Sequence, residues 1–266
     1  MIPAILPPHG ELPPQDTIDI WLFRLESAPT ESAGLPHLLS SDEEQRAARF
    51  RFNRDARRFR NSRSALRIAL GHYLAQPGSE LTLTTGAFGK PRLAAESPLR
   101  FNLAHSEDLA AIAFTTAGEV GIDIEAVPEA EISAASIAAG YFTPEEAFLV
   151  RKDRSTSTQV REFLRVWTRK EAILKAVGCG LFSALNSIDV ARRNTVSFRA
   201  EFNDGIDSRW RVKDLELGCG FIGAVAGLAQ DWVVRLWSSP NPAHGKKICG
   251  EKPRFRHSDI VYDDRA

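Results

Sequence analysis

The stretch VGIDIE at residues 120–125 decides the fold class, because apolar and polar side chains alternate along it. A period of two is typical of a β-strand and places Asp123 and Glu125 on one face of that strand. A second stretch, QVREFLRVWTRKEAILKAVG at residues 159–178, has apolar residues at helical spacing. It ends in Gly178, and glycine is a common residue at helix ends. Together the two stretches predict an α+β fold.

Further strands are predicted where short apolar or alternating runs are bounded by Gly, Pro or polar residues. The run at residues 82–92 contains two glycines and a proline, which predicts a short strand that leads into a loop. For the apolar run at 109–116, periodicity favours a buried strand but also allows a helix. All the strand-like runs outside VGIDIE are residues 17–25, 82–92, 109–116, 195–202, 210–217, 221–228 and 232–237.

The sequence also indicates where helices begin. Ser41, with Glu44 three residues later, predicts a capping box at the start of an amphipathic helix that continues to about residue 74. Thr143 is predicted to cap another helix, with a proline at its first position and a glutamate at its third. These helices and the strands around them divide into two groups along the chain.

The pattern predicts two lobes that meet near Gly118, without a recognisable repeat between them at the level of single residues. We expect an N-terminal lobe at 17–118 and a C-terminal lobe at 119–237. The Pro-rich residues 1–16 predict a flexible arm, and residues 238–266 predict a polar, mostly disordered tail.

Composition excludes several classes of protein. The 266 residues carry 34 basic and 34 acidic side chains, so no overall field favours nucleic acid or a membrane surface. Three isolated cysteines argue against a disulfide framework and against a zinc site. The N-terminus lacks the basic segment of a signal peptide, and the apolar run at 221–229 is too short to span a bilayer. We therefore expect a soluble, cytoplasmic protein.

Two adjacent carboxylates on one strand face suggest a metal site. Asp123 and Glu125 raise each other's energy unless a cation lies between them, and carboxylate oxygens suit Mg²⁺. Glu171 falls on the edge of the apolar face of the second stretch, and Lys175 lies one helical turn further. The alternatives are a solvated strand face and an exposed Glu171–Lys175 pair, which would contribute only about 0.3–0.5 kcal/mol.

These motifs resemble a known family. GIDIE at 121–125 and WTRKEAILK at 167–175 are similar to the two signature motifs of the 4′-phosphopantetheinyl transferases, of the Sfp (surfactin) type. FNLAHS at 101–106 resembles a further element of that family, with alanine replacing a common serine, as does GKP at 89–91. The resemblance extends over about residues 40–190 and includes Arg49-Phe50 with the later Arg58.

The resemblance implies a fold and a reaction. The fold is α+β, with two similar lobes related by a pseudo-twofold axis. Each lobe is a small, mostly antiparallel sheet packed with helices, and the active site lies at the lobe interface. The reaction moves 4′-phosphopantetheine from coenzyme A to a serine of an acyl carrier protein or peptidyl carrier domain and releases 3′,5′-ADP. The family pattern also implies a monomer.

The resemblance also implies roles for single residues. Mg²⁺ would be held by Asp123, Glu125 and Glu171. Glu171 would serve as general base, as metal ligand or as both, and Lys175 would stabilise the departing 3′,5′-ADP. The catalytic set is thus Asp123, Glu171 and Lys175. The residues expected to contact coenzyme A are Arg46, Arg58, Lys90, His105, Ser106 and Lys175, with His105 at the 3′-phosphate.

Three rival functions remain at this stage. Nine arginines between residues 46 and 67 would suit nucleic acid, but the near-neutral chain and few nearby aromatics argue against it. A metal-dependent phosphodiesterase would use the same carboxylates, although the chain has no phosphate-binding loop of the Walker type. A binding module without turnover should have lost an acid or Lys175. The segment 128–142 is expected to contact the carrier through apolar side chains.

Overall fold

The computed structural model describes residues 7–25, 38–86, 89–129, 132–178, 185–192, 196–198, 210–215, 217–218, 220–228 and 232–238. The described helices are α1 (Ser41–Ala48), α2 (Asn53–Leu74), α3 (Ala134–Tyr141), α4 (Pro144–Arg151) and α5 (Thr156–Val177). The described strands are β1 (Thr17–Arg24), β2 (Leu83–Thr85), β3 (Pro91–Leu93), β4 (Arg100–Ser106), β5 (Leu109–Thr115), β6 (Val120–Ala126), β7 (Ile188–Asp189), β8 (Ser197–Phe198), β9 (Arg211–Leu215), β10 (Phe221–Gly227) and β11 (Val233–Ser238). The α+β class is confirmed.

Two of the predicted helix ends are confirmed. Thr143 caps α4 and accepts a hydrogen bond from the backbone N–H of Glu146, with Pro144 at the first helical position. Gly178 ends α5 with a φ of 80°, in the left-handed region that glycine adopts without strain.

The first predicted capping box is wrong by one residue. Ser40, rather than Ser41, caps α1, and its side chain accepts from the Glu43 backbone while the Glu43 carboxylate accepts from the Ser40 backbone. The sequence fits both registers, because Ser40 and Ser41 are each followed three residues later by a glutamate, Glu43 or Glu44. The Glu43 register is the one in which the same carboxylate also accepts from the buried Arg67 at 2.8 Å.

The helix expected to continue to about residue 74 is interrupted. α1 ends at Ala48, and α2 begins at Asn53 after Phe52, whose backbone is extended. The arginines of this region are therefore divided between two helices that pack against each other and the connection between them, which carries Arg49 and Arg51. α2 then runs to Leu74, where Ala75 ends it in a left-handed conformation.

The strands form two main sheets. One has four strands in the order β11-β1-β5-β4, and the other has three antiparallel strands in the order β6-β10-β9. Two small hairpins, β2-β3 and β7-β8, lie outside them. The boundary at residue 118 therefore does not separate the sheets completely, because β11 from the expected C-terminal lobe pairs in parallel with β1.

A buried polar network fixes β11 beside β1. Asp19 on β1 is fully buried and accepts from Arg235 on β11 at 2.6 and 2.9 Å. Tyr73 on α2 donates its hydroxyl to the same carboxylate at 2.7 Å. A buried carboxylate requires such partners. The Asp19–Arg235 ion pair and the backbone pairing of β1 with β11 therefore both favour β11 beside β1.

The core has three parts that define the layers. α2 covers the outer face of the four-stranded sheet, where Leu66 lies in one cluster with Trp21. α5 covers the outer face of the three-stranded sheet, where Ile173 lies in one cluster with Ala224. The inner faces of both sheets share a third cluster, which includes Ile122. Each main sheet therefore carries one 22-residue helix on its outer side.

The two sheets meet along β4 and β6, which lie at their respective edges. The Asn102 side chain on β4 accepts from the Ile122 backbone N–H at 2.9 Å, and Ser106 accepts from the Ala126 backbone N–H at 3.0 Å. We call this line of contact the seam. It brings the end of β4, with His105, beside the carboxylate face of β6.

The N-terminal segment is packed from Pro7 onward, which differs from the expected flexible arm. The Gly10 backbone donates to the His72 carbonyl at 2.9 Å, and Thr116 donates to the Pro13 carbonyl at 2.9 Å. Residues 1–6 and the expected tail at 239–266 lie outside the described residues, as does most of the strand expected at 195–202. No helix in the described part of the chain is long and apolar enough to span a membrane.

Candidate active site at the seam

Gly121 allows α5 to lie directly on β6. A β-carbon at this position would lie 2.0 Å from the Ala172 carbonyl oxygen and 2.5 Å from the Ala176 nitrogen, so no larger residue fits without moving the helix. Gly121 precedes Asp123 by two residues on the same strand face. The glycine therefore lets the helix place Glu171 and Lys175 beside Asp123.

Lys175 and Asp123 form the closest charged contact at the seam. The Lys175 Nζ donates to Asp123 Oδ1 at 2.6 Å. The Asp123 side chain is 7% exposed, whereas that of Lys175 is 29% exposed. Lys175 therefore pairs across to β6, and the alternative of an exposed Glu171–Lys175 pair along the helix is wrong.

Two carboxylate oxygens next to this contact are buried without a hydrogen-bond partner, Asp123 Oδ2 and Glu171 Oε1. A buried acceptor left without a donor costs about 1–3 kcal/mol, and a bound cation would remove that cost. The donor chemistry fits a hard divalent ion, which takes oxygen ligands. Among the residues that the structure describes, however, no three His, Cys, Asp or Glu side chains are already grouped closely enough to hold a metal.

The three carboxylates are nevertheless coupled through their charges. Burial raises the pKa of Glu171 to about 7, and the negative charges of Asp123 and Glu125 act in the same direction against the opposing charge of Lys175. Burial and the charge of Asp123 also raise the pKa of Glu125. Burial raises the pKa of Asp123, although Lys175 opposes the shift. The group carries more negative charge than Lys175 alone neutralises.

Ser106 orients Glu125 across the seam. Its hydroxyl donates to Glu125 Oε2 at 3.0 Å and accepts from the Ala126 backbone at 3.0 Å. Ser106 therefore supports the Glu125 carboxylate. Its expected contact with coenzyme A stays a prediction, and a contact through the hydroxyl would require that proton to leave Glu125.

Lys90 is also paired within the protein. Its Nζ donates to Glu119 Oε2 at 2.7 Å, to the Val120 carbonyl at 3.0 Å and to the Ala176 carbonyl at 3.4 Å. The side chain is only 9% exposed. Because an ammonium group has three N–H donors, these contacts occupy all of them. Lys90 therefore ties the start of β6 to the end of α5, and its expected contact with coenzyme A stays a prediction.

A group of basic side chains lies on the other side of the seam. His105 is exposed at the end of β4. Partial loss of hydration beside the protein lowers the pKa of its imidazole, and the charges of Lys175, Arg58 and Arg63 act in the same direction. Arg58 Nε is buried without a partner, while Arg58 Nη2 donates to Glu107 Oε2 at 2.8 Å.

Arg46 and Arg63 complete this group. The guanidinium groups of Arg46 and Arg63 lie over the Phe59 ring, at 5.3 and 5.4 Å from its centre. Burial lowers the pKa of Arg63, and the charge of Arg46 adds to that effect. We call Arg46, Arg58, Arg63 and His105 the cation cluster. Because Arg46, Arg58 and Arg63 bring positive charges close together there, an anionic ligand would be stabilised.

The sequence did not predict the buried ion pair behind Glu171. Lys170 Nζ lies 2.7 Å from Glu146 Oε2, and both side chains are fully buried. Lys170 also donates to the carbonyls of Leu185 and Ile188. The sequence does contain a signal for this burial. Lys170 lies four positions after Val166 and four before Leu174, which places it on the apolar face of α5. The pair joins α4 to α5, and the carbonyl contacts of Lys170 hold the chain that follows α5 against the helix that carries Glu171.

Comparisons with known proteins match both halves of the chain to one family. Residues 119–237 match the model of the 4′-phosphopantetheinyl transferase superfamily, and residues 27–117 match that of the 4′-phosphopantetheinyl transferase N-terminal region. The chain is 34% identical over 226 residues to the 4′-phosphopantetheinyl transferase HetI of Nostoc sp., covering 84% of this chain and 92% of the relative. A putative 4′-phosphopantetheinyl transferase of Synechocystis sp. is 33% identical, over 74% of this chain and 79% of the relative.

A human relative is also similar. The L-aminoadipate-semialdehyde dehydrogenase-phosphopantetheinyl transferase of Homo sapiens is 30% identical over 57% of this chain and 52% of its own length. The family models cover both halves of the chain, and the Nostoc relative is covered over nearly its whole length. The chain therefore belongs to the 4′-phosphopantetheinyl transferase superfamily.

Proposed function

We propose that this protein transfers the 4′-phosphopantetheine arm of coenzyme A to a serine of a carrier protein and releases 3′,5′-ADP. The observation that supports this most directly is the pair of unpartnered buried oxygens on Asp123 and Glu171 beside the Lys175–Asp123 contact. Across the seam lies the cation cluster. A substrate with a pyrophosphate and a separate 3′-phosphate requires both kinds of site.

The cation cluster is the proposed site for the 3′-phosphate. Arg58 and His105 would contact it, and the exposed Arg46 would assist from α1. Support comes from the unpaired Arg58 Nε and from the positive charges of Arg58 and Arg63, which lower the pKa of His105 and which an anion would offset. Arginine provides several N–H donors in a plane, which suits phosphate oxygens.

Asp123, Glu125 and Glu171 are the residues that would hold Mg²⁺. The bound ion would neutralise charge on the pyrophosphate as its P–O bond breaks. Ser106 would keep Glu125 oriented through the hydrogen bond that it donates at 3.0 Å. Lys175 would have to exchange Asp123 for a phosphate oxygen in order to stabilise the departing 3′,5′-ADP.

Glu171 is the proposed acceptor of the serine proton. The hydroxyl oxygen of the carrier attacks the β-phosphorus, its proton passes to the base, and the bond to 3′,5′-ADP breaks. A carboxylate whose pKa lies at about 7 is suited to accept a proton near neutral pH. The unpartnered Glu171 Oε1 would also suit a metal ligand. The geometry fits both the general base and the metal ligand, so experiment has to separate these two roles.

The carrier is proposed to dock on α3 and α4. Three large apolar side chains are exposed there, Ile137, Tyr141 and Phe148, at 37%, 50% and 62%. Exposed apolar groups of this size on neighbouring helices commonly mark a protein contact. The segment 128–142, expected from the sequence to meet the carrier, contains two of them.

Three finer features are proposed with this function. The protein would be a cytoplasmic monomer of the Sfp type, and its halves would be related by a pseudo-twofold axis. Support for the last point is that each main sheet carries one 22-residue helix on its outer face. Light scattering tests the monomer, and superposition of β4, β5 and α2 on β6, β10 and α5 tests the axis.

Mass spectrometry of a carrier protein after incubation with coenzyme A and Mg²⁺ tests the function. We expect a gain of about 340 Da on the carrier, the mass of the pantetheine arm with its phosphate, as for other covalent modifications. A carrier with alanine in place of the acceptor serine should gain no mass. Release of 3′,5′-ADP without any carrier would instead indicate a phosphodiesterase, and coenzyme A binding without any release would indicate a binding module.

A further inference from the structure

Glu107 lies in an unusual position beside the cation cluster. It follows β4 in the two-residue turn, Glu107 and Asp108, that connects β4 to β5, and its φ is 49°. A non-glycine residue with this backbone conformation is uncommon, and asparagine and aspartate are favoured over glutamate there. Among the described residues other than glycine, only Ala75 shares a positive φ, and it ends α2.

The carboxylate of Glu107 is the anion that Arg58 contacts. Arg58 Nη2 and Glu107 Oε2 are 2.8 Å apart. The Arg58 side chain is 15% exposed, whereas that of Glu107 is 61% exposed. The guanidinium group is thus held within the protein, while the carboxylate lies at the surface and is free to turn away.

The contact leaves part of the guanidinium unused. Arg58 Nε is buried and has no hydrogen-bond partner, so the carboxylate does not satisfy the whole group. A phosphate monoester carries about two negative charges and three acceptor oxygens, more than one carboxylate provides. A phosphate could therefore replace the carboxylate and also reach the donor that the carboxylate leaves unpaired.

We propose that the Glu107 carboxylate occupies the place of a phosphate on Arg58 and is displaced when a ligand with a 3′-phosphate binds. This inference rests on the proposed function, in which Arg58 and His105 hold that phosphate. Glu107 then acts as a built-in competitor that weakens phosphate binding. Because 3′,5′-ADP retains the 3′-phosphate, the same competition favours release of the product.

A ligand without the 3′-phosphate has nothing to exchange with Glu107. It would leave the Arg58–Glu107 pair intact, and its affinity would not depend on the carboxylate. The two nucleotides 3′,5′-ADP and 5′-AMP differ only by that phosphate. They therefore separate competition at Arg58 from general effects on nucleotide binding.

Isothermal titration calorimetry of the full chain with these two nucleotides tests the inference. In Glu107→Gln, we expect 3′,5′-ADP to bind about two- to fivefold tighter, which is the range for loss of one exposed ion pair. The affinity for 5′-AMP should not change. Glu107→Gly should give a similar gain, because it also removes the carboxylate and in addition suits the positive φ. An unchanged or weaker affinity for 3′,5′-ADP in Glu107→Gln would overturn the inference.

Glu44→Gln is the matched control. Glu44 pairs with Arg60 on α2 at 2.8 Å and is exposed, so the variant removes an equal charge from a partner of the same helix without touching Arg58. It should leave both affinities unchanged. An equal gain in this control would attribute the effect to overall charge and would also overturn the inference.

Arg58→Gln separates this inference from the proposed function. If 3′,5′-ADP binds equally well to the wild type and to this variant, Arg58 is not a phosphate contact. The proposed phosphate site and the competition by Glu107 then both fail. If Arg58→Gln weakens binding while Glu107→Gln does not strengthen it, the phosphate site stands and only the competition by Glu107 is refuted.

Discussion

Lys175 on α5 and Asp123 on β6 are 52 residues apart in the chain, yet their charged atoms lie 2.6 Å apart in the folded protein. This contact joins the two motifs that the sequence presents separately. It exists because Gly121 allows the helix to lie on the strand, and the buried Asp123 would otherwise lack a cation partner.

Replacing Asp123 with alanine should abolish transfer while coenzyme A binding largely survives. The variant loses a proposed metal ligand but leaves the cation cluster intact. We expect the rate to fall by at least about 100-fold, the size typical for loss of one group that stabilises a transition state. The rate is measured by 3′,5′-ADP release with carrier present, and binding by calorimetry. An active Asp123→Ala enzyme would refute the metal assignment.

Replacing Lys175 with alanine should lower the transfer rate by about 100-fold, because the positive charge near the departing phosphate is lost. The side chain is 29% exposed, so the overall fold should be retained, which circular dichroism checks. Lys213→Ala, on the far strand β9, is a control with an equal change in charge. Turnover near that of the wild type would remove Lys175 from the site.

Replacing Glu171 with glutamine should make the metal-free protein more stable above neutral pH. Because the pKa of Glu171 is raised from 4.5 to about 7, the folded state keeps a proton that the unfolded state releases. The favourable contribution is full below pH 4.5 and is lost as the pH rises to about 7. Glutamine stays neutral, so the variant should gain about 1–3 kcal/mol over the wild type at pH 8 but not at pH 4.5.

Urea unfolding in the presence of a chelator measures this difference at the two pH values. Glu162→Gln is the control on the same helix, because Glu162 pairs only locally with Arg165. The Glu171→Gln variant should also lose the stabilisation that Mg²⁺ gives to the wild type, together with transfer activity. An equal response to pH in the wild type and the variant would show that Glu171 does not hold the proton.

Replacing Gly121 with alanine should destabilise the protein and disrupt the site. The new methyl group would meet the Ala172 carbonyl at 2.0 Å, so α5 must shift. Such overpacking costs about 1–3 kcal/mol, and the shift would separate Lys175 from Asp123. A methyl group added at Gly140 on α3 would meet no atom within 4 Å, so Gly140→Ala is the control.

The Gly140→Ala control should be neutral or slightly stabilising, since alanine favours a helix over glycine by about 1 kcal/mol. Thermal unfolding and the transfer assay are applied to both variants. If Gly121→Ala unfolds at the wild-type temperature and keeps full activity, the close approach of α5 to β6 does not control the site.

Replacing Phe148 with serine should weaken the use of the carrier without changing coenzyme A binding. The exposed ring on α4 is a proposed docking contact, and its loss should lower kcat/KM for the carrier by about five- to tenfold. Phe52, which is 58% exposed ahead of α2, provides the matched control in Phe52→Ser. An equal loss in both variants would argue against a docking surface on α3 and α4.

Much of the local structure follows from the sequence. The alternation in VGIDIE predicts β6, and Thr143, Pro144 and Gly178 predict helix ends that the structure confirms. These signals work because they depend on side chains within a few residues of one another. The register of the first capping box was missed because two overlapping Ser-x-x-Glu sequences fit it equally well.

The partners of charged side chains depended on contacts distant in sequence. Lys90 and Ser106 are expected from the sequence to face coenzyme A, and only the tertiary structure shows that each is also paired with backbone and carboxylate groups. Likewise, β11 joins the first sheet because Arg235 meets the buried Asp19. The sequence by itself determined most of the strands, several helix ends, the family motifs and the residues able to do the chemistry. Only the tertiary structure decided which of those groups are paired and which are left free, because desolvation and pairing depend on neighbours that the linear chain does not specify.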